Sequence, residues 1–154
     1  MVLKVNSVTL PEKPLKGFEN IDVFKLFLSD VGILNNLLNI NLNDILNDNL
    51  GLYKGIIAEN FVANELTANN IPLYYWKSKE KAEIDFLIET SDYGIIPIEV
   101  KSSENTKSKS LKVYNELYKP KYMIRISSKD FGYNPSTKIK SVPLYATFLI
   151  KELV

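Results

Sequence analysis

Neither cysteine nor histidine occurs in the 154 residues. The first absence removes any disulfide framework, thiolate nucleophile or cysteine-based zinc site. The second removes a Ser-His-Asp triad, a histidine-bound metal and a histidine general base. Arginine is nearly missing as well, since Arg125 is the only one among 19 basic residues. No GxxxxGK[ST] loop is present, so the chain carries no phosphate cradle of its own. No apolar run approaches the roughly 20 residues of a membrane span. Residues 1–10 lack the basic-then-apolar layout of a secretion signal, which makes the cytoplasm the expected compartment. Catalysis, if any, is left to carboxylates, lysine, tyrosine, serine or a metal held by oxygen.

What is present fits one α/β domain with room for a core: 45% of residues are hydrophobic and 24% charged. The net charge of +1 gives no sign of a basic arm or an acidic tail. Charge is unevenly spread, however. Residues 101–140 hold 10 basic and 3 acidic side chains, whereas residues 1–75 hold 5 basic and 8 acidic. Lys107, Lys109 and Lys112 head the basic stretch and are candidate phosphate contacts for DNA. A solvated lysine-rich face is the plainer reading of the same run.

Periodicity predicts the elements. Residues 2–9 alternate loosely and read as an edge strand, and residues 24–28 (FKLFL) read as a short strand. Ser29 or Asp30 caps a short helix carrying Ile33, Leu34, Leu37 and Leu38. Residues 39–49 read as a helical turn or loop. The strongest helix is expected over residues 52–66. At about 100° per residue, Glu59 lands in the middle of the stripe made by Leu52, Ile56, Val62, Ala63 and Leu66. A carboxylate there is costly unless paired, hydrogen-bonded or metal-bound. Partners for it are Tyr75, Lys77, a backbone amide or an ion.

Three strands are expected next, over 72–77, 82–89 and 95–101, with a hairpin turn at 91–94. In the second, Ile84, Phe86 and Ile88 share one face and Glu83, Asp85, Leu87 and Glu89 the other. In the third, Glu99 and Lys101 leave one face together. A helix over 106–118, a strand over 122–127, a loop over 130–138, a strand over 139–142 and a closing helix over 144–153 complete the series. Tyr74, Tyr75 and Trp76 either stack on bases or, as strand aromatics usually do, pack the core.

Antiparallel pairing of the second and third strands brings Asp85 beside Glu99. Like charges in that position repel, and a divalent cation between them removes the penalty. Oxygen ligands with water suit Mg²⁺ or Mn²⁺. Lys101 then stands next to the ion, placed to orient a water or to stabilise phosphate charge. In the plainer alternative, Lys101 offsets two acids on a solvated sheet face.

The segments AEIDFLI and IPIEVKSS resemble the D-x(n)-[D/E]-x-K signature of the PD-(D/E)xK nuclease superfamily, with Ile84 where the motif's proline would stand. Together with FKLFLSDVGIL, YKGIIAENFVANEL, LYYWKS, KSLKVYNELYKPKYMIRIS and VPLYATFLI, they resemble an uncharacterised domain. That domain usually forms the C-terminal part of bacterial and archaeal AAA+-type ATPases. The resemblance implies a restriction-endonuclease-like αβββαβ core at residues 51–154, with a mixed central sheet flanked by helices. Residues 1–50 would be a strand-and-helix extension packed on it. It further implies a metal-dependent nuclease acting on DNA. Asp85, Glu99, Glu59 and the Val100 carbonyl would hold Mg²⁺ or Mn²⁺, Lys101 would assist the attacking water, and an ATPase would be present in cis or in trans. The other implied reading is a catalytically inactive nuclease-fold module that docks DNA or protein.

Overall fold

The computed structural model describes residues 1–79, 81–102 and 108–154. Its elements are β1 (Val2–Val8), β2 (Glu19–Leu28), α1 (Val31–Leu37), α2 (Leu42–Leu46), α3 (Tyr53–Ala68), β3 (Tyr74–Lys77), β4 (Glu83–Thr90) and β5 (Gly94–Val100). They continue with α4 (Lys109–Tyr118), β6 (Met123–Ser127), β7 (Gly132–Asn134), β8 (Ile139–Pro143), a 3-10 turn (Leu144–Leu149) and α5 (Ile150–Leu153). The strands form one mixed sheet in the order β2-β1-β3-β4-β5-β6-β8-β7. β3, β4 and β5 are antiparallel neighbours, whereas the β1–β3, β5–β6 and β6–β8 pairs run parallel. Helix, three strands, helix, strand is therefore the observed order from α3 to β6.

Apolar residues divide between the two faces. Ala58, Val62, Ala63 and Leu66 of α3 pack on Val5, Phe27, Tyr75, Phe86, Ile98 and Ile124. Fully burying one such aliphatic side chain contributes about 1.5–3 kcal/mol. On the opposite face, Leu111 and Tyr114 of α4 cover Val8, Trp76, Ile84, Leu87 and Met123. Trp76 meets Tyr114 and Tyr118 edge-on, at centroid separations of 5.3 and 5.4 Å. Tyr74, Tyr75 and Trp76 are all buried, so none offers an open ring face to a base.

Local signals set the element ends. Asp30 caps α1 by accepting from the Ile33 N–H at 2.9 Å, and Asn41 caps α2 in the same way through the Asp44 N–H at 2.9 Å. Gly94 closes the β4–β5 hairpin at φ +80°, a left-handed conformation that glycine adopts without a Cβ penalty.

Several expectations are corrected here. β1 is an interior strand, flanked by β2 and β3, because its partner β2 extends over ten residues and takes the edge. Residues 132–134, expected as loop, form the short edge strand β7 against β8. Leu52 and Ile56 are exposed, so the buried arc of α3 begins at Ala58. Apart from these corrections, β1 of the first 50 residues pairs with β3. The expected helix start at residue 106 lies outside the described residues.

The correction with most bearing on the site concerns β4. Tyr74 pairs with Leu87 and Trp76 with Ile84, so Asp85 and Phe86 together oppose the single residue Tyr75. This is a β-bulge, and it breaks the strict alternation. Ile84 and Leu87 consequently share the α4 face, while Phe86 and Ile88 face α3.

Candidate functional site

The bulge aims Asp85 toward α3, where Glu59 and Glu83 also lie. The three carboxylates surround one ammonium group, that of Lys25 on β2. Its Nζ is 3.7 Å from Glu59 Oε2 and 4.0 Å from Asp85 Oδ1, and it is ion-paired with Glu83 Oε1. Val5 is its cross-strand partner and Phe27 its buried neighbour on the same strand face. The ammonium also stands 5.1 Å from the Tyr75 ring centroid. Lys77 reaches Glu83 from the rim at 3.7 Å.

Where the β4–β5 ladder ends, at Phe86 and Ile98, the Asp85 side chain replaces it. Its Oδ2 accepts the Val100 N–H at 2.7 Å. Alternation on β5 sends Ile96, Ile98 and Val100 to the α3 face and Glu99 to the other. Glu99 is only 1% exposed. Its Oε2 accepts from the Ser108 hydroxyl at the start of α4, and its Oε1 lies 3.1 Å from Lys101 Nζ. Of the residues read from the sequence, Glu59 and Asp85 therefore meet each other, and Glu99 and Lys101 meet each other. The Val100 residue is tied in through its amide.

The electrostatics follow from this crowding. Burial pushes the Asp85 carboxyl up to about 7; the Glu59 charge adds to the rise, and the Val100 N–H and Lys25 oppose it. Burial likewise raises Glu59, against the pull of Lys25. Burial works against the Lys25 ammonium, yet its hydrogen bond to Glu83 and the charges of Glu59 and Asp85 hold its pKa above the ordinary value.

A divalent ion does not fit these groups as they stand. Mg²⁺ demands near-octahedral oxygen coordination at about 2.1 Å. The Asp85 and Glu99 oxygens already face an amide, a hydroxyl and two ammonium groups. Among the described residues, no set of three or more acidic side chains is placed to hold a metal. The arrangement is a two-sided charge network that ties β2, α3, β4 and β5 together.

A second feature lies on the α4 side of the sheet. Lys109, Lys112 and Arg125 line a cleft of about 580 Å³ with Ser108, Asn134, Ser136 and Thr137, and Glu116 stands on its wall. Arg125 is steadied by Ser141, whose hydroxyl accepts from its guanidinium at 3.0 Å, and is the in-register neighbour of Glu99. Lys107 lies outside the described residues. An apolar pocket of about 380 Å³, lined by Ile57, Phe61 and Leu144, opens beside Lys101.

Lys25, Glu83 and Ser108 escape the sequence reading. For Lys25 a signal exists: it is the one charge inside the apolar run FKLFL. Ser108 carries none, because only the fold brings the start of α4 to Glu99.

No helix among the described residues is long and apolar enough to cross a membrane. No curated protein and no solved structure matches the chain. Residues 54–146 match the family described as Domain of unknown function (DUF4143). That span holds Glu59, Glu83, Asp85, Glu99 and Lys101 but not Lys25, and the chain belongs to this family.

Proposed function

We propose that this chain is a nuclease-fold docking domain. Its core is of the restriction-endonuclease-like PD-(D/E)xK kind. It holds DNA by its phosphates on the α4 side and lends that contact to an ATPase in cis or in trans. It does not itself cut the strand. The observation that carries this reading is the cleft where Lys109, Lys112 and Arg125 converge with hydroxyl and amide side chains. Cations and neutral donors on one wall suit phosphate oxygens, which attract both. The α3-to-β6 element order supports the nuclease-like core. The internal pairing of Asp85 and Glu99 argues against metal-assisted hydrolysis.

Binding of a fluorescent duplex and of a branched DNA, followed by anisotropy over a salt series, tests the proposal. Three cations on phosphates give a slope of log K against log salt of about −3. Lys109→Glu with Lys112→Glu is expected to reduce that slope by about 2 and to weaken both DNAs alike. Salt-independent binding, or none at low salt, removes the docking role. Cleavage with Mg²⁺ or Mn²⁺ that disappears in Glu99→Ala and Lys101→Ala would replace docking by hydrolysis.

A further inference from the structure

We infer that the crevice at the C-terminal ends of β5, β6 and β8 binds a single-chain amphiphile ending in a carboxylate, of the chemical class of a medium-chain fatty acid. The site is separate from the basic cleft and does not depend on the DNA reading.

Topology comes first. β5, β6 and β8 form the parallel run of the sheet, and each delivers the chain to the same place. Lys101 and Ser102 follow β5, Ser128 follows β6, and Leu144 and Tyr145 follow β8. All five line the apolar pocket of about 380 Å³. The Lys101 N–H donates to the Ile126 carbonyl at 2.8 Å, which keeps the first two strand ends abreast. Small ligands of open α/β sheets bind in the crevice outside the C-terminal ends of parallel strands. The volume falls within the roughly 300–1,000 Å³ of small-molecule sites.

The lining selects the ligand. α3 supplies the opposite wall with Ile57 and Phe61, and together with Val31, Leu144 and Tyr145 they offer methylene groups an apolar surface. The polar lining is Lys54, Lys101, Ser102 and Ser128, with no carboxylate among the described residues there. Lys101 is engaged by Glu99 at 3.1 Å. Lys54 is held only by Asp48, in an exposed pair of the weak surface kind. A Cβ on Gly55 would stand 3.6 Å from Ser102 Oγ, so that hydroxyl lies against the first turn of α3, beside Lys54 in the chain. Phe61 is about 10 Å further along the helix axis. Head-group donors thus gather at one end and the apolar wall runs away from them. One ammonium and two hydroxyls suit the single charge and two oxygens of a carboxylate. A dianionic phosphate would ask for more cations than the crevice has.

The test is calorimetric titration of the whole chain with sodium octanoate, nonanoate and decanoate. Each added methylene is expected to tighten binding about fourfold. Decanol and decyltrimethylammonium are expected to bind roughly tenfold more weakly than decanoate, and decyl phosphate no more tightly. Lys54→Gln and Ser128→Ala change solvent-accessible residues. Each is expected to weaken decanoate and to leave decanol unchanged. Tyr145→Ser, at a side chain 71% exposed, is expected to weaken both. Amide shifts on decanoate addition should centre on Ser102, Ser128 and Tyr145.

No binding at millimolar decanoate overturns the inference. So does equal binding of decanol or of the cation, tighter binding of decyl phosphate, or indifference to both head-group variants. A dimer that Tyr145→Ser dissolves and decanoate does not would put a second copy in the crevice and overturn it as well. DNA anisotropy with and without decanoate keeps this result apart from the docking reading: failure of either assay leaves the other standing.

Discussion

A carboxyl group whose pKa stands at about 7, against 3.8 ordinarily, holds its proton more tightly in the folded chain than in the unfolded one. For Asp85 the sign follows directly. Its contribution to stability is complete below about 4 and is lost as pH rises through about 7, where the ionised form becomes a fixed cost. Urea midpoints for the wild type should therefore fall between pH 4 and 7 relative to those of Asp85→Asn; parallel curves would contradict this. Carbon-detected NMR of the Asp85 carboxyl gives a sharper check through its neighbours. Removing the Lys25 charge is expected to raise its titration midpoint further, and Glu59→Gln to lower it. The Glu99 charge adds to the rise. At this scale the sequence was informative about which residues matter and less so about whom they touch. Glu59, Asp85, Glu99 and Lys101 were each visible as polar groups on structured elements. The partner of Glu59 was not, since Lys25 lies 34 positions earlier and only the sheet order brings it near.

Elements repeat the pattern. The β3–β4–β5 run and β6 were legible because their side chains alternate and the turns between them are marked, as at Gly94 after β4; α3 was legible as a long uninterrupted helical segment, although Leu52 and Ile56 of its expected stripe are exposed. One added residue in β4 was not. A bulge leaves composition unchanged, and its effect is to turn Asp85 away from the face Glu99 uses. A pairing argument built on strict alternation therefore missed that Asp85 meets Glu59 and Lys25, while the Glu99 charge still acts on it. Asn60 shows the same dependence on tertiary context. It lies within the buried arc of α3, where an amide looks out of place, yet it supplies the end of β2 with both hydrogen bonds of a missing neighbour. Asn60→Leu keeps the volume and strands the Leu28 N–H. A loss of about 1–3 kcal/mol is expected, seen as a melting temperature lower by roughly 2–12 °C. An unchanged melt would mean that β2 is held by its β1 pairing alone.

At the level of the whole molecule, the sheet order places the two recognisable features on opposite faces: the acids under α3 and the basic cleft beside α4. Charge asymmetry between the chain's halves was readable in advance, and the fold gives it a location. The ends of the sheet differ just as much. β7 is three residues long, whereas β2 is ten and leaves Phe24 and Leu26 open to solvent. Long apolar edge strands invite pairing with other chains. The consequence is colloidal: concentrated stocks should slowly cloud on storage, growing from one flank of each particle. Leu26 sits across from Lys4, so Leu26→Glu would set opposite charges face to face and should slow the rise of light scattering. A flank that stays clear in both proteins would mean that its lysines and acids already keep neighbouring particles apart.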